Sequence, residues 1–213
     1  AAYDSLSEEE KQQISEETLA KLVKAEDRLK ALEHQMPFTD VLSGQWFYED
    51  VLYVYEKNIM NGISDTMFGP DESMTRGQFV AVLGRTADVT DSSQKAPATT
   101  KFDDVNANEY YAAHVAWAVE KGIINGISER EFAPDDEVTR EQIAAMMTRY
   151  ANAMEISLPA ADETVFADDA EIADYAKEAV YRMKSAGILQ GEGNNIFHPR
   201  GNASRGAAAK MIH

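Results

Sequence analysis

The tetrapeptide Phe38-Thr39-Asp40-Val41 recurs as Phe102-Asp103-Asp104-Val105 and as Phe166-Ala167-Asp168-Asp169, each copy starting 64 residues after the last. Three further features recur in the same order: an Asn-Gly or Gln-Gly pair, a Phe-x-Pro tripeptide and an arginine. They are Asn61-Gly62, Asn125-Gly126 and Gln190-Gly191; Phe68-Gly69-Pro70, Phe132-Ala133-Pro134 and Phe197-His198-Pro199; and Arg76, Arg140 and Arg205. A repeat at fixed period defines the architecture before any other feature does. The sequence therefore predicts three copies of one unit, and a site in one copy should exist in some form in all three.

The repeat divides the 213 residues into a lead segment and three units. The boundaries follow from the motifs and from linker-like composition: an N-terminal helix or stem at 1–36, repeat 1 at 37–89, a linker at 90–101, repeat 2 at 102–156, a connector at 157–165 and repeat 3 at 166–213. A unit of about fifty residues buries only a marginal core by itself. We therefore expect the three repeats to pack together as one body.

Composition excludes several classes of protein. The net charge is −17, from 37 acidic and 20 basic residues, which argues against nucleic acid or an anionic membrane surface as a partner. No apolar run approaches the ~18 residues of a transmembrane helix. Cysteine is absent and the four histidines are scattered, so we expect no metal and no cofactor. We also expect a mature form or a fragment, because no signal peptide is visible at Ala1 and His213 comes early for a complete closing helix.

The lead segment has a helical pattern. Ser7 and Glu10 form a capping box, and a heptad seam follows at Thr18, Leu22, Ala25, Leu29, Leu32 and Met36. These features predict one helix from about 7 to 35. Our preferred interpretation is that it packs on the repeats. The alternative is a coiled-coil stem that joins the repeats to a fusion partner or to a second copy of the chain.

Within each repeat the pattern predicts a helix, a loop and a second helix. In repeat 2 the first helix is expected from about Tyr111 to Lys121, and the glycine of the following Asn-Gly suits a left-handed helix cap or a tight turn. The phenylalanine of Phe-x-Pro is expected to fill the core. The second helices are expected to begin at Thr75, Thr139 and Ser204.

The recurring arginine stands in the first turn of each second helix. Thr75-Arg76-Gly77-Gln78 and Thr139-Arg140-Glu141-Gln142 are capping boxes, whereas Ser204-Arg205-Gly206-Ala207 lacks the reciprocal amide. A cation in a first helical turn is unfavourable by ~0.3–1 kcal/mol, so its recurrence requires a reason. One explanation is an anion receptor made by the guanidinium and free helix N–H groups. The other is a salt bridge to Asp40, Asp104 or Asp168, and the residue types leave both open.

Taken together, these motifs identify a resemblance. The Phe-x-Asp-Val opening, an aromatic residue eight or nine positions later, Gly-Ile-Ile-Asn-Gly at 122–126, Phe-x-Pro and Thr-Arg-x-Gln resemble S-layer homology (SLH) domains in tandem triplicate, over roughly residues 37–213. The resemblance implies an all-α fold in which the helix-loop-helix repeats form a pseudo-threefold, three-prong spindle with a central helical bundle. It also implies non-covalent anchoring of a surface protein to a bacterial cell wall or S-layer. The implied partner is a secondary cell-wall polysaccharide bearing pyruvylated N-acetylmannosamine, bound in the grooves between prongs.

Carried over by position, the resemblance gives a set of candidate ligand-binding residues. They are Arg76, Arg140, Arg205, Asp40, Asp104, Asp168, Trp46, Tyr110, Gly62, Gly126, Gly191, Gln78 and Gln142, with Asn61 and Asn125 as weaker candidates. Core packing is the preferred interpretation for Tyr110 and Tyr175 and stays open for Trp46, and a helix cap is at least as good an explanation for the glycines. Because repeat 3 departs most from the pattern, we expect its groove to be silent and Arg205 to contribute least to binding.

The sequence also bears on three other functions: an enzyme, an interaction scaffold and a calcium-binding protein. The adjacent Asp103 and Asp104 are the best acid–base pair available, but no nucleophile, base and orienting group occur together, so an enzyme is not expected. A helical-repeat interaction scaffold of the S-layer, without direct glycan binding, is the main alternative. Residues 103–109 are rich in oxygen ligands but lack the glycine and glutamate of an EF-hand calcium loop.

Overall fold

The computed structural model describes residues 36–89, 100–161 and 164–213, together with seven separate positions of the N-terminal segment. Of those seven, Thr18, Leu19, Lys21, Leu22, Lys24 and Ala25 are helical. The remainder of the helix expected at 7–35, including the capping box at Ser7 and the seam positions Leu29 and Leu32, lies outside the described residues. The possible partner of this segment stays a prediction. The chain divides into two units, Ala1–Pro37 and Phe38–His213, and the second contains all three repeats.

Each repeat contributes two helices. They are α1 (Tyr48–Glu56) and α2 (Arg76–Thr86) in repeat 1, α3 (Ala112–Glu120) and α4 (Arg140–Ala153) in repeat 2, and α5 (Asp174–Ser185) and α6 (Arg205–Ile212) in repeat 3, where a 3-10 turn, Asp169–Glu171, precedes α5. The described residues contain no strand, which confirms the all-α fold and the helix-loop-helix repeat. Both capping boxes form, at Thr75 with Gln78 and at Thr139 with Gln142, and Ser204 caps α6 without a reciprocal amide, as expected. The three-prong spindle stays a prediction.

The helices pair across repeat boundaries. The second helix of each repeat packs on the first helix of the next, so that α2 packs on α3, α4 on α5 and α6 on α1. The last pair joins the end of the chain to repeat 1 and closes the cycle. Each core is therefore completed by a neighbouring repeat, which is why units of this size are stable together and why residues 38–213 form one unit.

Small residues in one helix face large residues in the next. A Cβ placed on Gly77 of α2 would lie 3.1 Å from the Tyr111 ring, and one on Gly206 of α6 would lie 3.4 Å from the Phe47 ring. The contact between α4 and α5 differs at both positions. Repeat 3 has Ala176 where the other repeats have an aromatic ring, and α4 has Glu141 where α2 and α6 have glycine. The buried Glu141 carboxylate accepts a hydrogen bond from the Ala173 N–H at the start of α5.

A closed cycle of backbone hydrogen bonds connects the segments just before the three second helices. Met74 N–H donates to Ala203 O at 3.0 Å, Ala203 N–H to Val138 O at 3.1 Å, and Val138 N–H to Met74 O at 2.9 Å. All three residues are buried. The main chains of the three repeats are thus joined in a closed cycle.

The aspartate of each Phe-x-Asp motif holds the Phe-x-Pro loop of its own repeat. In repeat 1, Phe68 N–H and Gly69 N–H donate to Asp40 at 2.8 and 2.7 Å. Asp104 and Asp168 bind the corresponding N–H pairs in repeats 2 and 3. The residue between phenylalanine and proline has positive φ (Gly69 70°, Ala133 56° and His198 55°), which costs a side chain about 1–2 kcal/mol at the last two positions. The charge-assisted bonds offset that strain.

The Asn-Gly glycines do not cap helices, so that expectation is wrong. Positive φ occurs instead at Gly122 and Gly187, directly after α3 and α5. Gly62 is required by close approach, because a Cβ there would lie 2.4 Å from the Phe38 ring and 2.4 Å from Ser64 O. Gly126 approaches the Phe102 ring in the same way, since a Cβ there would lie 2.6 Å from it. The fully buried Phe68, Phe132 and Phe197 confirm that the Phe-x-Pro phenylalanines fill the core.

The Asp168 carboxylate generates a pH-dependent prediction. Burial raises the pKa of Asp168, but the hydrogen bonds from the Phe197 and His198 N–H groups lower it by more than burial raises it. The pKa of Asp168 therefore lies below its ordinary value. A depressed carboxyl pKa stabilises the fold above the unfolded value of about 3.9, and the stabilisation is lost as pH falls through the folded pKa. Asp168→Asn should lower the free energy of unfolding at pH 7 by about 1–3 kcal/mol, and the deficit should shrink by pH 3.

Urea denaturation at both pH values measures this difference. Asp65→Asn, at an exposed carboxylate, is the control and should have little effect at either pH. An Asp168→Asn deficit of the same size at pH 7 and pH 3 would contradict the assigned role of the carboxylate.

Candidate functional site

The recurring arginines are buried and bind the backbone of the next repeat. Arg76 is 5% exposed; its Nε donates to Phe132 O at 2.9 Å and its Nη2 to Asn125 O at 3.2 Å. Its guanidinium carbon lies 4.6 Å from the centre of the Phe132 ring, a cation–π distance. Arg76 of repeat 1 thus donates hydrogen bonds to both the Phe-x-Pro and the Asn-Gly segments of repeat 2.

The other two arginines make the same contacts around the cycle. Arg140 donates to Phe197 O at 2.7 Å and Gln190 O at 2.9 Å in repeat 3. Arg205 donates to Phe68 O at 2.8 Å and Asn61 O at 2.6 Å in repeat 1. We call this set of contacts the arginine clamp. It explains why a cation recurs in the first turn of a helix at all three positions.

The clamp differs from both explanations offered by the sequence. The helix N–H groups are not free, since Arg76 N–H donates to Asp136 O and Gly77 N–H to Pro134 O. The three aspartates hold loop N–H groups, and in the described parts of the chain none pairs with an arginine of the clamp. The expected free donors and the expected salt bridges are therefore both wrong.

Burial shapes the electrostatics of the clamp. Desolvation lowers the pKa of the Arg76 guanidinium, and the field of Asp136 opposes that shift. Desolvation likewise lowers the pKa of Arg140 and Arg205. A guanidinium stays protonated in proteins nevertheless, so each clamp brings a positive charge into a strongly acidic chain.

Among the cavities beside the clamps, three are each lined by residues from all three repeats. A further cavity beside Arg140 is lined by residues of repeats 2 and 3. We number each groove by the repeat that supplies its Asn-Gly or Gln-Gly segment and its second helix. Groove 1 contains Asn61, Gly62, Ile63, Gln78, Val82 and Arg85 with Arg205 and Tyr110; groove 2 contains Asn125, Gly126, Ile127, Gln142, Met146 and Arg149 with Arg76 and Tyr175; groove 3 contains Gln190, Gly191, Glu192, Ala207, Lys210 and Met211 with Arg140 and Trp46. Their volumes are about 240, 410 and 340 Å³ respectively.

Most of the candidate residues meet in these grooves. The arginines, the glycines, the two glutamines, Trp46 and Tyr110 all line one of them. Asp40, Asp104 and Asp168 do not belong to the lining defined above, and they support the loops from behind. The arrangement therefore places a guanidinium, an aromatic ring and a glycine in the lining of each groove.

Core packing of Tyr110 and Tyr175 is wrong. These side chains are 46% and 55% exposed, and Trp46 is 58% exposed. The following residue takes the core position in each repeat: Phe47, Tyr111 and Ala176 are buried. Burial and Glu141 raise the pKa of Tyr175 to about 12, so its phenol remains a hydrogen-bond donor at neutral pH.

The arginine of one repeat serves the groove of the next. Arg205 lines groove 1, whose Asn-Gly segment and capping box are intact, whereas Arg140 lines groove 3. The sequence interpretation had linked Arg205 to the divergent groove of its own repeat, and that assignment is wrong. If groove 3 is silent, the arginine with the least part in binding is Arg140.

Some lining residues were missed in the sequence. Arg85 and Arg149 bring a second positive charge to grooves 1 and 2. The sequence did carry a signal for them, because Gln78, Val82 and Arg85 follow the spacing of one helical face, and the positions 64 residues later are Gln142, Met146 and Arg149. Ile63 and Ile127 directly follow the two Asn-Gly pairs, and their apolar side chains are exposed.

Other kinds of site find little support among the described residues. Asp103 pairs with Arg130, while Asp104 binds backbone N–H groups, so the adjacent carboxylates engage different partners. In the described ranges no cluster of three potential metal-binding side chains occurs. No helix described there is both long and apolar enough to cross a membrane.

Comparison with known proteins identifies the family. The S-layer homology domain matches residues 37–80, 101–144 and 165–209. The chain is 31% identical to an amylopullulanase of Thermoanaerobacterium thermosulfurigenes over 86% of its length, and 33% identical to an endoglucanase of Bacillus sp. (strain KSM-635) over 83%. It is 27% identical over 61% of its length to a cellulosome-anchoring protein of Acetivibrio thermocellus.

The chain spans only a small part of these relatives: 10% of the amylopullulanase, 18% of the endoglucanase and 29% of the cellulosome-anchoring protein. The chain belongs to the S-layer homology family as three tandem domains, and it is a surface-anchoring module of the bacterial cell wall or S-layer.

Proposed function

We propose that this module anchors its parent protein by binding a secondary cell-wall polysaccharide through pyruvylated N-acetylmannosamine, principally in grooves 1 and 2. The observation that carries the proposal is the juxtaposition, in each of these grooves, of two arginines and an exposed tyrosine. On a chain of net charge −17, the two arginines make each of these grooves a local positive site for a carboxylate.

The chemistry of the grooves suits a ketal carboxylate on a sugar. The clamp uses Nε and Nη2 of Arg76 and Arg205 on backbone, and in the described parts of the chain Nη1 of each has no bonded partner. Nη1 is thus the donor proposed to meet the carboxylate. Held on two carbonyls, the guanidinium is fixed before the ligand arrives, which reduces the entropy lost on binding.

The remaining lining is suited to the body of the sugar. Tyr110 in groove 1 and Tyr175 in groove 2 offer an aromatic face to the C–H face of a pyranose ring. Ile63 and Ile127, which are 53% and 56% exposed, offer apolar area to the ketal methyl group. Gln78 and Gln142 use Oε1 in their capping boxes, so their Nε2 amides are the groups proposed to reach the acetamido carbonyl.

Binding in two grooves on one module also suits anchoring. A polysaccharide presents its sugar many times, so a second groove binds at a high effective concentration once the first is occupied. In this proposal the chain is not an enzyme and acts by retention alone. A helical-repeat scaffold without glycan binding is the alternative that the following measurements separate from it.

The first prediction concerns the charge of the ligand. Removing the pyruvate removes a charge-assisted contact to Arg76 or Arg205, which is worth about 10- to 100-fold in affinity. Isothermal titration calorimetry with synthetic pyruvylated N-acetylmannosamine and its unpyruvylated counterpart measures the difference. Equal affinities would remove the basis for carboxylate recognition, and no binding of either sugar would favour the scaffold.

The second prediction separates the grooves by their aromatic rings. Tyr110→Ala and Tyr175→Ala should each weaken binding to purified cell wall about 3- to 10-fold, because an aromatic contact contributes about 0.5–1.5 kcal/mol. Trp46→Ala in groove 3 should have a smaller effect. Tyr110→Phe and Tyr175→Phe keep the ring and are the matched controls. A sedimentation assay in which only Trp46→Ala abolishes binding would show that groove 3 is the working site.

The rings are better test positions than the clamp arginines. Truncating Arg76, Arg140 or Arg205 leaves two backbone carbonyls without donors, at about 1–3 kcal/mol for each buried group. The burial of the clamp therefore predicts that arginine-to-alanine variants lose stability, which would be confused with a loss of binding.

A further inference from the structure

Groove 3 differs from the other two at one lining position. Residue 192 is glutamate, whereas the corresponding residues in repeats 1 and 2, each directly after the Asn-Gly glycine, are Ile63 and Ile127. The backbone places the two kinds of side chain alike. Glu192 N–H donates to Ile196 O at 2.7 Å, and Ile127 N–H donates to the corresponding Glu131 O at 2.8 Å.

The Glu192 carboxylate reaches the clamp arginine of its groove. Its Oε1 lies 3.4 Å from Nη1 of Arg140, and its Oε2 lies 3.8 Å from Nε2 of His198. Nη1 is the same donor that has no bonded partner, among the described residues, on Arg76 and Arg205. In the part of the chain that the structure describes, no carboxylate lies within 4.0 Å of either of those arginines.

We propose that Glu192 is an internal carboxylate that occupies the anion-binding donor of groove 3 and closes this groove to carboxylate-bearing sugars. This inference rests on the proposed function and assigns grooves 1 and 2 as its anion sites. A carboxylate tethered to the groove competes at high effective concentration with a free ligand. It also repels a second carboxylate, since like charges at such distances disfavour one another.

The three grooves differ in the charges of their lining residues. Grooves 1 and 2 pair an open guanidinium with an exposed isoleucine and a second arginine. Groove 3 keeps the guanidinium and has a second cation, Lys210, whose Nζ lies 5.6 Å from the centre of the Trp46 ring, but it also carries its own counter-charge in Glu192. Arg140 is therefore retained as a clamp on Phe197 and Gln190 without serving as an anion receptor.

Exchange of the two residue types tests the proposal in both directions. Calorimetry with pyruvylated N-acetylmannosamine should give two sites on the wild-type chain, three on Glu192→Ile and one on Ile127→Glu. In the Ile63→Glu/Ile127→Glu chain, affinity should fall about 10- to 100-fold, and adding Glu192→Ile should restore one site. Glu129→Ile removes an exposed acid outside the grooves and is the matched control for net charge, with two sites expected.

The outcomes separate this proposal from the one on which it rests. Two sites on both the wild-type and Glu192→Ile chains would overturn the role of Glu192 while leaving glycan binding intact. Three sites on the wild-type chain would overturn it as well. A gain on Glu129→Ile equal to that on Glu192→Ile would reduce the effect to net charge and overturn it. No binding by any chain would overturn both proposals.

Discussion

The arginine clamp is the interaction on which the rest of the structure depends. Each guanidinium reaches from the start of one repeat's second helix to two carbonyls of the next repeat, and the third clamp returns to the first repeat over 137 positions of sequence. The aspartate of each repeat holds the N–H groups of the same Phe-x-Pro loop whose carbonyl the clamp binds. Each Phe-x-Pro loop is thus held by the aspartate of its own repeat, which binds its N–H groups, and by the arginine of another repeat, which binds its carbonyl.

The clamp also creates the grooves. Because the arginine crosses a repeat boundary, each cavity collects its cation from one repeat, its floor and second helix from the next, and its aromatic ring from the third. Stability and the proposed binding therefore draw on the same side chain, and the donor that the clamp leaves unused is the one proposed to meet the ligand. Repeat 3 has Glu192 where the other repeats have isoleucine. In our proposal this residue changes which ligands groove 3 accepts, while Arg140 keeps its clamp contacts.

The sequence predicted what local rules control. The period, the helices, the capping boxes and the phenylalanine plugs follow from spacing and residue type within one repeat. The partners of the arginines did not, because Arg76 and Phe132 are 56 positions apart and their contact depends on cyclic packing. Tyr110 and Tyr111 are indistinguishable by type, and only the orientation of α3 decides that Tyr110 lines a groove while Tyr111 is buried.

Native-state hydrogen exchange on Arg205→Met tests most directly the claim that the clamps join three repeats into one cooperative unit. The account predicts that protection falls by a similar free energy, about 2–4 kcal/mol, at core amides of all three repeats, including Phe79, Ile143 and Val180. Met removes the donors but retains an unbranched side chain. A loss confined to repeat 3 and the facing helix α1, with Ile143 unchanged, would contradict it.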